Sequence, residues 1–380
     1  MWEAILSGFA GLALGVSNFT FPQFVMIAVG GGLLYLGIRH GFEPLLLVPI
    51  GFGAILVNLP LAGFMEKGGI LRTFYDVGVL TELFPLLIFV GIGAMTDFGP
   101  LLERPSILLL GAAGQFGIFL TLLLALGLKF TLLESVAIGI IGACDGPTAI
   151  YVGSKYAPHM LGPISVAAYS YMSLVPLLQP PIMRILTTKR EKHVVMAAGK
   201  RSVSKTTKTL FPICVTLVTA LIAPIGAPLM GMLMLGNLLK ESGVVERLKQ
   251  VSEQEIASIV TLLLGLSIGA TMEADKFLRY QTMLVLVLGL VAIGLDTVMG
   301  VVFGKLMCAA TGGKVNPLIG AAGISAFPMA ARVAQNEGQR YNKKNHLLMH
   351  AMGANTGGQV GSVMAAAIML SLLKGLGIGP

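Results

Sequence analysis

GACDGPTAIYV at 142–152 and GISAFPMAARV at 323–333 are the two stretches that decide the fold. Each interrupts an apolar run with glycines and a proline, and Pro147 lies over Pro328 and Ala149 over Ala330 at an offset of 181. A second pair, VGIGAMTDF at 90–98 and GLSIGATMEADKF at 265–277, repeats at an offset of about 176. Two echoes at nearly one offset indicate a duplicated unit of about five elements. Proline removes an N–H and pushes away the carbonyl one turn earlier. Unwound backbone at membrane depth survives only where protein buries it or where it lines a watery cavity. The two broken segments, 142–152 and 316–333, are therefore where a site is expected.

Composition supplies the membrane. Hydrophobic residues form 55% of the 380-residue chain and charged ones 12%, with a mean hydropathy of +0.85. A soluble domain carries about 25% charged residues, so water cannot solvate this chain on all sides. Disorder, a secreted disulfide scaffold and an ordinary cytosolic enzyme are excluded. The 49 glycines and 20 methionines suit helices packed closely in lipid. Cys144, Cys214 and Cys308 are widely separated and read as small buried residues, with no zinc or iron–sulfur spacing.

The expected fold is an all-α polytopic membrane protein. Eleven apolar stretches fall near 18–38, 43–64, 83–97, 105–127, 132–152, 160–186, 209–238, 257–272, 281–304, 317–333 and 347–374. Residues 1–40 divide into a short interfacial helix (1–16) and a first membrane helix. Residues 41–186 form one repeat, 187–208 a basic loop, and 209–380 the second repeat. Nothing N-terminal resembles the basic start of a signal peptide, so the mature sequence is expected from Met1.

Orientation follows from charge. Arg184 to Lys208 contains eight basic residues and one acid, Glu191, which makes that loop cytoplasmic. The net charge of +8 reflects this loop and implies no nucleic-acid partner. Counting the stretches as crossings puts the N-terminus inside, 240–256 outside, 335–345 inside and the C-terminus outside. The fifth and tenth stretches then enter from opposite faces, so the repeats are inverted, as in many secondary transporters.

Candidate site residues lie in or beside the breaks. Asp145 occupies the first; a carboxylate at membrane depth costs about 2.5–3.5 kcal/mol on insertion scales, so it needs a cation, a proton or a basic partner. Asn316 and Ser325 offer neutral oxygens in the second, and Arg332 at its end can clamp a carboxylate through two hydrogen bonds. Tyr169 and Tyr171, two apart on a helix, must face different surroundings. Asp296 is a second-rank ion candidate. Asn355, in MGANTGGQVGS, sits on a glycine-rich helix able to pack against both breaks. Asp97 and Glu273 read as helix-end residues at the water interface. No nucleotide-binding motif is present, and neither GxSxG nor HExxH occurs. Energy for transport must come from an ion gradient or from chemistry delivered by a partner.

GACDGPTAIYVGSKYAP (142–158), AAYSYMSLVPLLQPPIMR (167–184), NPLIGAAGISAFPMAARV (316–333) and LLMHAMGANTGGQVGS (347–362) resemble the β-subunits of biotin-dependent, sodium-translocating decarboxylases. These are the oxaloacetate, methylmalonyl-CoA and glutaconyl-CoA decarboxylase complexes of anaerobic bacteria. The likeness covers nearly the whole chain, and the N-terminal region is short beside the longer oxaloacetate members, which points to the acyl-CoA members. The resemblance implies a bacterial inner-membrane subunit that decarboxylates carboxybiotin on a partner carrier domain, consumes a proton and exports Na+. It implies a carboxyltransferase α-subunit and a small single-span γ- or δ-type subunit as partners, with a homo-oligomer as a further expectation.

Carried over by position, the family's essential aspartate falls on Asp145, its essential tyrosine on Tyr171, and its second-break residues on Asn316, Gly320, Ser325 and Arg332. Asp145, Tyr171 and Ser325 are then expected at Na+, with Asn316, Gly320 and Asn355 along its pathway. Arg332 and Ser325 are expected at carboxybiotin, and Tyr171 and Arg332 in the chemistry. From the residues alone, a Na+-coupled transporter of an organic anion fits the broken helices and the Asp/Arg pair equally well.

Overall fold

The computed structural model describes residues 14–15, 17–41, 43–197 and 203–378. Most of the interfacial helix expected over 1–16 lies outside them, as do Lys200 and Arg201. The described residues are helical and contain no strand. The principal helices are α1 Phe21–His40, α2 Pro44–Val57, α3 Leu83–Met95, α4 Pro105–Gly127, α5 Leu132–Ala143, α6 Gly146–Tyr156 and α7 Leu161–Leu186. After the basic loop come α8 Lys205–Ile222, α9 Ala227–Ser242, α10 Glu246–Ala270, α11 Tyr280–Ala310, α12 Met329–Tyr341 and α13 Leu348–Gly375, with a 3-10 segment Pro317–Gly323 before α12.

Six of these (α1, α4, α8, α10, α11 and α13) are long and apolar enough to cross a membrane. The number is eight if two bent pairs each count as one span: Ile70–Val79 with α3 at 64°, and the two parts of α7 at 62°. The α7 bend falls between Met172 and Leu174. Pro176 explains it, since its ring displaces the carbonyl four residues earlier.

The stretch 209–238 is two elements. Ala223-Pro224 ends α8, a 3-10 turn follows, and α9 runs back, so 209–238 is a helical hairpin. Its ends meet where Thr209 Oγ1 donates to Glu241 O and Lys208 approaches the Glu241 carboxylate at 4.0 Å. The start of the 240–256 segment therefore lies beside the basic loop, not at the opposite face as the count of crossings had it.

The two broken stretches turn back as well. His159, just beyond α6, bonds Glu134 at the start of α5 at 2.8 Å, closing the mouth of a hairpin. Asn316 and Asn345, flanking the second break and α12, both donate to Val194 O, at 2.8 and 3.1 Å. Each stretch enters and leaves at one end of the bundle, and the two enter from opposite ends.

The basic loop marks one end. Arg104 donates to Ala197 O, Lys305 to Leu186 O, and Arg184 grips Glu337 through two bonds of 2.7 and 2.8 Å. Lys155–Glu82 and His159–Glu134 mark the far end. Asn58, at the end of α2, donates to Met272 O and accepts from Ala274 N–H just beyond α10. Met272 adjoins Thr271, which packs on Gly162 beyond His159, so α2 ends at the far end. The antiparallel helix α1, whose Gly30 packs on Gly51, therefore begins at the far end. The start of α1 and the basic loop lie at opposite ends of the bundle. A hairpin counted as one crossing is the reason sequence counting put them on the same face.

Small residues set the helix spacing. A Cβ on Gly93 would strike Leu233 O, and one on Gly236 would strike Val90 O, so α3 and α9 touch backbone to backbone. Gly53 and Gly269 hold α2 against α10 in the same way.

Candidate functional site

The first hairpin ends in a tip built around one non-glycine residue in the left-handed region. Cys144 has φ +53°, which turns the chain sharply between the 3-10 end of α5 and the first residue of α6. Asp145 then caps α6. Its Oδ1 accepts from Thr148 N–H at 3.3 Å, and its Oδ2 accepts from Thr148 Oγ1 and from Ser362 Oγ, both at 2.8 Å. Asp145 is 6% exposed, so those three donors carry most of the solvation that water would supply.

The second hairpin brings its own tip alongside. Ser325 N–H donates to Ala143 O at 3.0 Å, joining the two breaks directly, and Ser325 Oγ donates to Gly358 O. Asn355 donates to Ile324 O at 2.6 Å. Helix α13 thus contacts one break through Ser362 and the other through Asn355, as its glycine-rich sequence led us to expect. Gln115 adds a tie from α4, donating to Gly111, Gly323 and Gly358 carbonyls.

Between the tips lies a cavity of about 320 Å³. Asp145, Tyr169, Met172, Ser325, Pro328 and Gln359 form part of its wall. The walls are mostly apolar, and the polar groups are concentrated where the hairpins meet. That arrangement has the chemistry to hold a small cation against one carboxylate and neutral oxygens, and leaves room for an organic group beside it. Among the described residues no cluster of three His, Cys, Asp or Glu side chains occurs, so a metal ion here would rest chiefly on neutral oxygens.

The structure brings Asp145 and Ser325 to one cavity, while Asn355 holds Ile324 O beside Ser325 and is outside the cavity wall. It does not bring Tyr171 to them. The Tyr171 hydroxyl donates to Leu286 O of α11 at 2.6 Å, and its ring lies against Gly289. The cavity tyrosine is Tyr169, whose ring packs on Gly146 and whose hydroxyl has no partner. A helix sends residues two apart to different faces, and the face toward Asp145 went to Tyr169.

Asn316 is also away from the tip. It caps the 3-10 segment by accepting from Leu318 N–H and fastens the hairpin mouth to Lys192 O and Val194 O. Gly320 meets Gly300 of α11 at backbone contact. Arg332 is exposed, one turn along α12 from the Pro328 wall and toward the basic-loop end. Asp296 is fully buried and outside the cavity wall. Asp97 is half-exposed beside Lys208, and Glu273 pairs with Lys276 near the far-end surface.

Sequence reasoning missed Thr148, Ser362 and Gln359 as cavity or carboxylate partners, and it named Tyr169 as a candidate but gave the role to Tyr171. Thr148 had a signal, since D-x-x-T before an apolar run is an N-cap pattern. Ser362 had none, because 217 residues separate it from the carboxylate it serves.

Residues 22–373 match the family described as the Na+-transporting oxaloacetate decarboxylase beta subunit. The chain is 52% identical to the glutaconyl-CoA decarboxylase subunit beta of Acidaminococcus fermentans, over 95% of this chain and 96% of that one. It is 52% identical to the methylmalonyl-CoA decarboxylase subunit beta of Veillonella parvula, over 95% of each. Identity to the oxaloacetate decarboxylase beta chain of Haemophilus ducreyi is 46%, over 98% of this chain and 99% of that one. An all-helical bundle with membrane-length helices, a buried carboxylate at a broken-helix tip and a match along nearly its whole length place this chain in the family of Na+-transporting decarboxylase beta subunits.

Proposed function

We propose that this subunit decarboxylates carboxybiotin presented by a partner biotinyl domain, takes up a proton in doing so, and exports Na+. The observation that carries the reading is Asp145 at the hairpin tip, nearly dehydrated, facing a cavity shared with Ser325 of the opposite hairpin. Na+ binds between Asp145 and Ser325, with the hydroxyls of Thr148 and Ser362 turning lone pairs toward it, and Asn355 stands beside Ser325 on its pathway. The N-carboxylate of carboxybiotin docks near Arg332, an exposed guanidinium on the basic-loop side of the cavity. Carried past the Pro328 wall into apolar surroundings, the anion loses solvation, and release of neutral CO2 is favoured. The ureido nitrogen then takes a proton. Tyr171 supplies it once α7 shifts and the hydroxyl leaves Leu286 O, and Asn316 and Gly320 hold the second hairpin in place for that shift.

The fold reading is two inverted repeats. It is supported by the echoed glycines: Gly93 packs α3 on α9 as Gly269 packs α10 on α2. The pair α1–α2 then matches α8–α9, so the first repeat begins at α1 instead of residue 41. With the basic loop cytoplasmic, the start of α1 and the end of α13 face outside. The α-subunit, the carrier and a small membrane subunit dock at the basic-loop face.

The test is decarboxylation of free carboxybiotin by the purified complex reconstituted in vesicles, with and without Na+, alongside uptake of labelled Na+. The reading predicts both activities and their loss together in Asp145→Asn. Na+ uptake driven by an organic-anion gradient, with no carboxybiotin turnover, would replace it with the symporter.

A further inference from the structure

Asp296 sits at mid-length in α11 with no solvent exposure, and it takes no part in the cavity around Asp145. Its Oδ1 accepts from Gly117 N–H, and its Oδ2 has no hydrogen-bond partner among the described residues. The slot that holds it is made of two glycines from two different breaks. Gly117 opens the half-helix Phe116–Gly127 within α4, and Gly142 lies in the 3-10 tip of the first hairpin. A Cβ added to Gly142 would sit 2.8 Å from Oδ2, and one added to Gly117 would strike Oδ1. The bare oxygen therefore faces the first hairpin tip at Gly142, two residues from Cys144 and three from Asp145.

The charged and titratable neighbours are few. Cys144, at the hairpin tip, lies within electrostatic reach of both Asp296 and Asp145. From α7 the titratable group is Tyr171, held on Leu286 O, roughly 15 Å along α11 at 1.5 Å per residue. From α5 it is Glu134, paired with His159 at the far end. Helix α4 and the segment Pro317–Gly323 contain no titratable side chain. Among the described residues no cation pairs with Asp296.

Three donors converge on the Asp145 carboxylate and one on Asp296. Paired carboxyl groups in such unequal surroundings divide the labour of charge and proton. An ionised carboxylate with one donor and no solvent exposure is prohibitively costly, and a hard cation would need several oxygens around Oδ2. A proton needs only the oxygen itself. We propose that Asp296 is a proton-binding site distinct from Asp145, holding H+ on Oδ2 while the first hairpin tip is seated and exchanging it only when that tip moves. The site does not depend on carboxybiotin, so its test is separate from that of the function above.

The experiment is infrared spectroscopy of the intact complex in H2O and D2O, comparing wild type, Asp145→Asn and Asp296→Asn. Wild type and Asp145→Asn should share a protonated-carboxyl carbonyl band that Asp296→Asn lacks. That band should ignore bulk pH and exchange slowly with deuterium at rest, and exchange at least about tenfold faster during turnover. The absence of any such band overturns the proposal, because Asp296 is then ionised. Free titration with bulk pH overturns it too, since the proton is then not gated by the hairpin. Loss of the band on adding Na+ to Asp145→Asn overturns it in a third way and makes Asp296 a cation ligand. If Asp296→Asn fails to assemble, 13C-aspartate labelling of Asp145→Asn reads the same band, because Asp145 and Asp296 are the buried aspartates among the described residues.

Discussion

Asp145 gains its place from being a helix cap before it is anything else. The Cys144 turn ends one helix, the Asp145 side chain begins the next, and its second oxygen is left to Thr148 and Ser362. Asp145→Asn keeps the shape and loses the charge. Removing a charged ligand, on the order of 3 kcal/mol, is expected to weaken Na+ by about 100-fold or more, read by calorimetry or Na+ protection against heating. Ser362→Ala removes one donor and is expected to cost about 1–3 kcal/mol at the same site, with the protein still folded. The two tyrosines separate by geometry. Tyr171→Phe deletes the bond to Leu286 O and the proton that the proposed chemistry uses, so carboxybiotin turnover is expected to fall sharply while Na+ still protects. Tyr169→Phe removes a hydroxyl with no partner and should leave Na+ protection and most turnover intact. The opposite ranking would transfer the proton role to Tyr169.

At the scale of elements, backbone contact and one ion pair hold the second hairpin. Gly320 and Gly300 touch, so Gly320→Ala forces α11 away from Pro317–Gly323. Overpacking of this kind costs about 1–3 kcal/mol. Thermal unfolding in detergent should show that loss, together with reduced turnover. The hairpin's outer arm is fastened by Arg184 and Glu337, whose carboxylate is 5% exposed. Glu337→Gln leaves a half-exposed guanidinium that water can still reach, so the expected loss is about 1–3 kcal/mol, less than for a fully buried pair. Protease cleavage within 187–197 is expected to quicken in that variant, because Lys192 and the Val194 carbonyl belong to the same clasp.

At the scale of the molecule, the start of α1 and the basic loop stand at opposite ends of the bundle. With Cys214 replaced by alanine, a cysteine at Ser17 is expected to react with an impermeant thiol reagent from outside intact cells. A cysteine at Lys189 should react only after the membrane is opened. Both positions are exposed. Equal labelling from one face would mean that α1 or a broken segment crosses where the contacts turn it back.

Much of this was legible in the residues. Apolar runs of membrane length, the basic loop, the two echoes, the breaks at Pro147 and Pro328 and the buried Asp145 all follow from local composition and proline chemistry. So did the closeness of α13 to both breaks, since glycine-rich faces permit backbone contact. Three things were not legible. That 132–152 and 317–333 return instead of crossing depends on bonds such as Glu134–His159, between residues 25 apart with no local signature. That Tyr169 and not Tyr171 faces the cavity depends on helix rotation, fixed by how α7 packs on α11 and on the hairpin tip. That Ser362 completes Asp145 depends on two segments 217 residues apart meeting at one point. Hydropathy and proline report what one segment does with its own backbone. The direction a hairpin returns, the face a side chain takes and the partner it finds are settled by packing between distant segments, and only the tertiary structure contains that.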